Sequence, residues 1–259
     1  MTTPFDVIVE QIKKRGFHNQ RQQEHSDAIG RGMLEDLRRL CPPLRRDLDS
    51  GVVRSWLNRR TPGARGRKVD LLVGEPGANA EPDLEKLRIC VENKSVVTAH
   101  RNSDARFDDL NESLQVLHRA KSEAVLVATV MIGVADRVLN VPDRITPFFK
   151  NRMSEFEKNV LPRLSSGDSK LWEEFSWAVS ANKPDDPTRT AEKFRKLAVR
   201  SPGHTHVVGY DYVLLVPVYI DNVNPPFIPR RNKLGIDVDR QYQAMLTQIC
   251  KAYRARWHL

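Results

Sequence analysis

Cysteine is scarce in this chain. Its three cysteines, Cys41, Cys90 and Cys250, stand far apart and show no paired spacing. Structural zinc sites usually draw on closely spaced cysteine pairs, and small disulfide-stabilised domains need many more cysteines than three. The sequence therefore argues against a zinc ribbon and against a disulfide framework. It predicts reduced thiols in a cytosolic protein.

Long apolar runs are also missing. The longest run, AVLVATVMIGVA at 124–135, is too short to span a bilayer and is typical of a buried strand. The first residues, MTTPFDVIVEQIKKRGF, lack the apolar core of a secretory signal. We expect a soluble protein with a cytoplasmic location and no membrane partner.

Two widespread catalytic motifs are absent. The chain contains neither a GxxxxGK[ST] phosphate-binding loop nor a GxSxG nucleophile elbow. The first absence excludes a built-in nucleotide-hydrolysing motor of the P-loop kind. The second removes the usual signature of an α/β-hydrolase.

Acidic residues are outnumbered by basic ones. The chain of 259 residues holds 42 Lys and Arg against 33 Asp and Glu, which gives a net charge of +9. The sequence pI is about 9.6. An excess of positive charge favours a polyanionic partner, with nucleic acid ahead of a membrane surface. Charge alone does not choose a partner, because many basic proteins bind neither.

The first half of the chain alternates between helical and strand patterns. Apolar residues three and four apart predict helices over 26–40 and 104–118. Strand patterns cover 51–57, 69–74, 87–94 and 124–132. This order predicts an antiparallel meander of three strands, to which a crossover helix adds the fourth strand in parallel. We expect an α/β (α+β) fold, in which helices flank a mixed central β-sheet.

The second half has a less regular pattern. Helices are predicted over 147–164, 171–179, 191–199 and 237–257, with a polar connection over 181–190 and a strand or hairpin over 207–220. Pro217 indicates an edge strand or a bulge. No linker divides the chain, so we expect a single domain over 1–259. Its core would cover about 20–135, a helical elaboration about 140–200, and a C-terminal strand or hairpin with a helix 205–259.

Charged residues interrupt two of the predicted strands. Asp70 lies in the otherwise apolar stretch VDLLVG, and Glu92 and Lys94 lie two apart in LRICVENKS, so they share one face of their strand. If the two strands pair, Asp70 and Glu92 converge. Two carboxylates held close together repel each other unless a cation lies between them, and an oxygen-rich site suits Mg²⁺ or Mn²⁺. A lysine beside such a site can stabilise charge on a phosphate.

The arrangement of Asp70, Glu92-Asn93-Lys94 and the predicted elements resembles the PD-(D/E)xK nuclease superfamily, which includes the type II restriction endonucleases. The resemblance covers roughly residues 20–135. It implies a restriction-endonuclease-like core, with Asp70 and Glu92 as metal ligands and Lys94 as the catalytic lysine. In this sequence Lys68-Val69 stand before Asp70, where some members have proline.

The resemblance also implies an activity and partners. The protein would be an endonuclease that hydrolyses phosphodiester bonds of double-stranded DNA with Mg²⁺, or with Mn²⁺, in restriction or phage defence. Cleavage of both strands at a palindrome needs two active sites, which implies a homodimer.

Many members of the superfamily add a glutamate from the first helix. Glu24, Glu35 and Asp36 are the candidates here. Glu24 precedes the predicted helix, and Asp36 shares the side of Met33 and Leu40. We therefore prefer Glu24 and Glu35 as additional catalytic residues.

Polar segments on either side of the charged strands supply candidates for DNA contacts. The basic loop 58–68 contributes Arg65 and Arg67, and the segment after Lys94 contributes Thr98, His100, Arg101 and Arg106. Such side chains bind phosphate oxygens or base edges. A flexible basic turn and a polar loop leading into a helix explain the two segments equally well.

Three other interpretations stay open. A solvated ion pair at the end of a strand would also explain Glu92 and Lys94. The same scaffold would serve a nucleic-acid-binding protein without catalysis. The same carboxylates would serve a metal-dependent enzyme that acts on another phosphate ester.

Overall fold

The computed structural model describes residues 2–15, 23–60, 68–97, 100–140, 158, 162–163, 178–221 and 224–258. The helices are α1 (Pro4–Arg15), α2 (Gln23–Leu40), α3 (Pro42–Asp49), α4 (Ser103–Ala120), α5 (Asp186–Phe194) and α6 (Val238–Trp257). The strands are β1 (Arg54–Arg60), β2 (Lys68–Pro76), β3 (Pro82–Val96), β4 (Val125–Gly133), β5 (Arg137–Asn140), β6 (Ala178–Ala181) and β7 (Tyr212–Val218). Across these ranges, no helix has the length and apolarity needed to cross a membrane.

Five strands form the central sheet in the order β1-β2-β3-β4-β7. The first three strands pair antiparallel, while β4 pairs parallel with both β3 and β7. A parallel neighbour needs a crossover, and α4 provides the one between β3 and β4. The predicted meander, the parallel fourth strand and the α/β fold with a mixed central sheet are confirmed.

Helices cover the sheet and bury its centre. Helix α2 contacts β1 and β2, and α6 contacts β7 and β4. Helix α4 lies against β3 and β4, and α5 lies against β4. Every residue of β4 is buried, as a central strand covered on both faces must be. One cluster of buried apolar side chains extends from Phe5 in α1 to Tyr253 in α6.

Gly30 brings α2 close to the sheet. A Cβ atom at this position would lie 2.7 Å from Cδ2 of Leu57 in β1 and 3.5 Å from Cβ of Leu71 in β2. It would also lie 3.6 Å from the carbonyl oxygen of Asp70. The bare glycine therefore lets the first turns of α2 pack directly beside Asp70.

The β2–β3 hairpin is longer than predicted. The sequence favours a loop over 75–86, but Pro76 pairs with Pro82 and the connection between the strands is short. The register shifts between Val73 and Gly74, where the partners change from Ile89 to Leu87. This β-bulge lets β2 stay paired with β3 on both sides of the register shift.

The second half departs from the sequence prediction in three places. Helix α5 spans Asp186–Phe194 instead of 191–199, because Pro187 fits its first turn. The second half of the predicted polar connection over 181–190 is therefore helix. Ala178 and Val179 lie in β6, which pairs antiparallel with β5, so the helix predicted over 171–179 is wrong at its end and the region at 140–200 is not wholly helical. Residues 171–177 and almost all of 147–164 lie outside the described residues.

The C-terminal elements follow the prediction more closely. Strand β7 stands at the edge of the five-stranded sheet, as Pro217 indicates. It is shorter than the predicted segment 207–220. Helix α6 begins after Asp237, whose side chain accepts a hydrogen bond from the backbone N–H of Arg240 at 3.0 Å.

A disulfide joins Cys41 to Cys250, with their Cα atoms 5.4 Å apart. Cys41 ends α2 and Cys250 lies in α6, and these two helices pack against each other. Cys90 is a buried free thiol. The prediction of three reduced thiols and no disulfide is therefore wrong. The two cysteines are 209 residues apart, so their spacing in the sequence carries no sign of the pairing.

Candidate active site

The ladder between β2 and β3 places Asp70 beside Glu92. Leu71 pairs with Val91 in the antiparallel register, so the next positions along the two strands are Asp70 and Glu92. The parallel pairing of β3 with β4 sets Thr129 opposite Asn93. Strand register alone therefore gathers polar side chains from three adjacent strands at one end of the sheet.

Both oxygens of the Asp70 carboxylate accept hydrogen bonds. The hydroxyl of Ser26, in the second turn of α2, donates to Oδ1 at 2.5 Å. The backbone N–H of Asn93 donates to Oδ2 at 2.6 Å. The Asn93 side chain donates from Nδ2 to Ser26 Oγ at 3.2 Å and accepts at Oδ1 from Thr129 at 2.6 Å. This network orients the Asp70 carboxylate between β2, β3 and α2.

Glu92 is almost fully buried, with 2% of its side chain exposed. Lys94 donates from Nζ to Glu92 Oε2 at 2.9 Å, and its own side chain is 19% exposed. Burial raises the pKa of Glu92 to about 6, against the opposing effect of the Lys94 ammonium. The charge of Asp70 raises the pKa further, and a hydrogen bond from Ser113 of α4 lowers it.

Asp70 shows the same kind of electrostatic stress. Burial raises its pKa, although the hydrogen bonds from Ser26 and Asn93 and the charge of Lys94 act in the opposite direction. The charge of Asp27 in α2 raises it again. Asp70 therefore interacts electrostatically with the carboxylates of Asp27 and Glu92 and with the Lys94 ammonium. A bound cation would lower the pKa of both strand carboxylates.

Asp27 is the acidic residue of α2 that the sequence analysis missed. Its Oδ1 atom is buried and has no hydrogen-bond partner among the described residues. Ser26 and Asp27 resemble the cap of a helix that starts at 26, but α2 begins at Gln23, which places Asp27 within the helix. Asp27 comes one residue after Ser26 in α2, and this position is the signal that could have identified it as a site residue.

Of the two preferred helical glutamates, Glu35 does not join this cluster. Glu35 is 63% exposed and lies 3.9 Å from Arg38 at the surface. Glu24 lies in the first turn of α2, but its side chain is outside the described residues. Asp36 is buried on another side of α2, where it accepts a hydrogen bond from the Tyr242 hydroxyl at 2.7 Å.

The predicted DNA contacts are only partly described. Arg65, Arg67 and Thr98, and the side chain of Arg101, lie outside the described residues. Arg106 is half-exposed on α4 and pairs with Asp109 at 3.2 Å.

The structure does not present His100 to a ligand. The residue is buried, and its Nδ1 bonds with Thr190 Oγ1 at 2.7 Å while Nε2 bonds with the Gly133 carbonyl at 3.1 Å. Burial lowers its pKa, with smaller opposing contributions from Asp186 and Gly133. Both ring nitrogens are engaged by the protein, so His100 fastens its turn to β4 and α5.

The donor set fits a hard divalent cation in its chemistry. Carboxylate oxygens from Asp27, Asp70 and Glu92 are the ligands that Mg²⁺ and Mn²⁺ prefer, and the unpartnered Asp27 oxygen is a free acceptor. Within the described residues, no group of three or more histidine, cysteine, aspartate or glutamate side chains is placed so that it could hold a metal ion. Ser26, Asn93 and Lys94 donate hydrogen bonds to the carboxylate oxygens of Asp70 and Glu92.

This arrangement supplies two separate chemical functions. The carboxylates provide negative charge at one end of the sheet, and Lys94 places a positive charge beside them. Comparisons of the chain with protein-family models, with curated proteins and with solved structures find no match.

Proposed function

We propose that this protein is a metal-dependent DNA endonuclease of the restriction or phage-defence type, which hydrolyses phosphodiester bonds. One observation carries the proposal. The buried Glu92 lies next to Asp70 across the β2–β3 ladder and is bonded to Lys94 two residues further along the same strand. A buried carboxylate beside a half-buried one, with a neighbouring ammonium, is costly for a purely structural site, and it suits phosphoryl chemistry.

The chain's own residues would divide the work. Asp70 and Glu92, with Asp27, would hold Mg²⁺ or Mn²⁺, which supplies Lewis-acid stabilisation of the phosphate and a more acidic water. Ser26 and Asn93 orient the Asp70 carboxylate through their hydrogen bonds. Lys94 would exchange its bond to Glu92 for one to a phosphate oxygen, where charge increases during water attack. Attack of the water at phosphorus would break the bond to the 3′ oxygen. The water would lose a proton to solvent, and the 3′ oxygen would gain one and leave as a hydroxyl, so that a 5′-phosphate remains.

The overall charge supports a DNA substrate. A net charge of +9 favours a polyanion. The proposal includes a homodimer, because cutting both strands at a palindrome needs two active sites. It also includes a cytoplasmic location, where cellular DNA is accessible.

Cleavage of supercoiled plasmid DNA tests the proposal. Wild-type protein should nick or linearise the plasmid with Mg²⁺ and should be inactive in EDTA. Lys94→Ala and Asp70→Asn should both be inactive with Mg²⁺, and thermal melts should show that each variant is folded. The matched control is Lys86→Ala, which removes an exposed lysine from the same strand and should keep full activity. Metal-independent cleavage, or full activity of folded Lys94→Ala, contradicts the proposal.

A nucleic-acid-binding protein without catalysis is the second candidate. The observation in its favour is that Asp70 and Glu92 already have protein partners for their oxygens, so the cluster persists without a cation. This candidate predicts salt-dependent DNA binding and no cleavage with Mg²⁺ or Mn²⁺.

A further inference from the structure

Asn58 occupies the position on β1 opposite Asp70. Leu57 pairs with Leu71 and Arg59 with Val69, so the ladder sets Asn58 across from Asp70 between these two pairs. Asp70 is therefore flanked by β1 on one side and by β3 on the other. Asn58 stands beside the candidate site on the strand that forms the edge of the sheet.

Asn58 shows two features that folding alone does not favour. Its φ is +50°, a left-handed conformation that is unusual inside a strand and strains any residue other than glycine, asparagine less than most. Its side-chain nitrogen Nδ2 is buried and has no hydrogen-bond partner among the described residues. The Asp70 carboxylate accepts hydrogen bonds from Ser26 and Asn93, and Asn58 Nδ2 does not bond to it. Strain and an unsatisfied donor at one residue together point to a ligand.

Two positive charges follow Asn58 at the same end of the ladder. Arg60 on β1 pairs directly with Lys68 on β2, and both are exposed. Directly opposed residues of an antiparallel pair extend on the same face, and like charges in that position repel each other. Among the described residues neither cation has an acidic partner. An anion between them would relieve the repulsion.

We propose that Asn58, Arg60 and Lys68 form a binding site for the phosphate backbone of DNA. This site, called the seat below, would direct the DNA strand to the carboxylates at Asp70. The inference rests on the proposed function, because it names the part of the site that holds the substrate. The Asn58 amide would donate to an oxygen of the phosphate next to Asp70. Arg60 and Lys68 would hold a second phosphate. It would lie about 7 Å from the first, because Arg60 comes two residues after Asn58 on β1 and a β-strand rises about 3.3 Å per residue.

A polynucleotide fits this seat better than a small phosphate does. The donors lie at one end of the edge strand β1 and of its neighbour β2, and the two cations are exposed to solvent. A row of donors ending at a carboxylate cluster suits a repeating anion with a cleavable bond beside it. Such contacts carry no base information, so the seat positions DNA without selecting a sequence.

Equilibrium binding in EDTA tests the two cations without requiring catalysis. The probe is a fluorescein-labelled 20-base-pair duplex, followed by anisotropy at several salt concentrations. Arg60→Ala/Lys68→Ala should reduce the slope of log K against log [salt] by about 2, because two phosphate contacts are lost. The matched control is Arg45→Ala/Lys251→Ala, which removes two exposed cations from α3 and α6. An equal reduction in both double variants would overturn the proposal, since net charge alone would then explain the binding.

Asn58→Gly separates a binding role from a structural one. Glycine accepts the positive φ and removes the unsatisfied amide, so the melting temperature should stay the same or rise. Affinity for the duplex should fall about tenfold, the loss expected for one hydrogen bond to a charged group. A lower melting temperature with unchanged affinity would show a structural asparagine and overturn the assignment.

Failure of this inference is distinguishable from failure of the proposed function. If the seat variants bind weakly but wild-type protein cleaves nothing, the seat stands and the endonuclease proposal fails. If cleavage depends on Mg²⁺ and Lys94 while the seat variants bind and cleave like wild type, the endonuclease proposal stands and the seat is wrong. Equal competition for the probe by vesicles containing anionic phospholipid and by unlabelled duplex, at matched phosphate, also contradicts a DNA seat.

Discussion

Lys94 Nζ lies 2.9 Å from Glu92 Oε2, yet the pKa of Glu92 is raised to about 6. Burial therefore outweighs the adjacent ammonium. The folded protein binds the Glu92 proton more tightly than the unfolded chain does, since the ordinary pKa is 4.5. Burial destabilises the ionised Glu92 carboxylate, and a cation bound beside it would offset that cost.

The pH dependence of stability should reveal this cost. Because the folded pKa is the higher one, Glu92 lowers the free energy of unfolding as pH rises from about 4.5 to 6, and the loss is complete above that window. The shift amounts to about 2 kcal/mol. Urea unfolding of wild type and Glu92→Gln at pH 4 and pH 7.5 measures it as the difference between the two proteins. A difference that does not change with pH contradicts the buried, stressed carboxylate.

Binding of Mg²⁺ should restore part of the stability that the protein loses when the buried Glu92 ionises. Addition of Mg²⁺ at pH 7.5 should raise the melting temperature of wild type, because a ligand bound only to the folded state stabilises it. Glu92→Gln and Asp70→Asn should respond less. Ca²⁺ in place of Mg²⁺ tests whether the effect is specific to the smaller ion. Equal stabilisation of all three proteins would show that the ion binds elsewhere.

Asp27 and Glu35 make a matched pair of acidic residues in one helix. Asp27→Asn should weaken Mg²⁺ binding about tenfold or more, because it removes a charge that acts on Asp70. Its stability should not fall, since the Asp27 oxygen has no hydrogen-bond partner to lose. Glu35→Gln should leave metal binding unchanged, as its side chain is exposed beside Arg38. Isothermal titration calorimetry compares them, and a larger effect at Glu35 reverses the assignment.

A thiol count tests the disulfide. Under denaturing conditions without reductant, one of the three cysteines should react, and all three should react after reduction. Cys250→Ser should lower the free energy of unfolding by about 4 kcal/mol, because it frees a very long loop in the unfolded chain. Three reactive thiols before reduction would contradict the bond.

The buried ion cluster around Asp211 should be a major source of stability. Asp211 accepts hydrogen bonds from Arg200, from Arg256 of α6 and from the backbone N–H of Leu126 in β4. Neither Arg200 nor Asp211 has exposed side-chain surface. Asp211→Ala leaves two cations uncompensated and should cost about 3–5 kcal/mol in urea unfolding. The half-exposed Asp83→Ala is the control, and equal effects would contradict the role of burial.

The sequence was informative wherever a local pattern decided the structure. The alternation in LRICVENKS predicts that Glu92 and Lys94 share a face, and a short hairpin then leaves little choice for the position of Asp70. Asp27 was missed because a small shift in the start of α2 changed its role from cap to helix interior. Asn58 depends on a backbone angle that no periodicity encodes.

Long-range pairings were outside the reach of the sequence for a different reason. Cys41 and Cys250 meet only because α2 packs against α6, and that packing depends on the whole sheet between them. His100 resembled a surface residue in a polar loop. Its bonds to Thr190 and Gly133 come from α5 and β4, which no pattern around His100 predicts.

The bond between Cys41 and Cys250 turns most of the polypeptide into a covalent ring. Every strand of the five-stranded sheet, together with the candidate site residues Asn58, Asp70, Glu92 and Lys94, lies inside that ring. A single peptide-bond cut anywhere between the two cysteines therefore releases no fragment until the disulfide is reduced. The oxidised protein can be nicked and still remain one molecule.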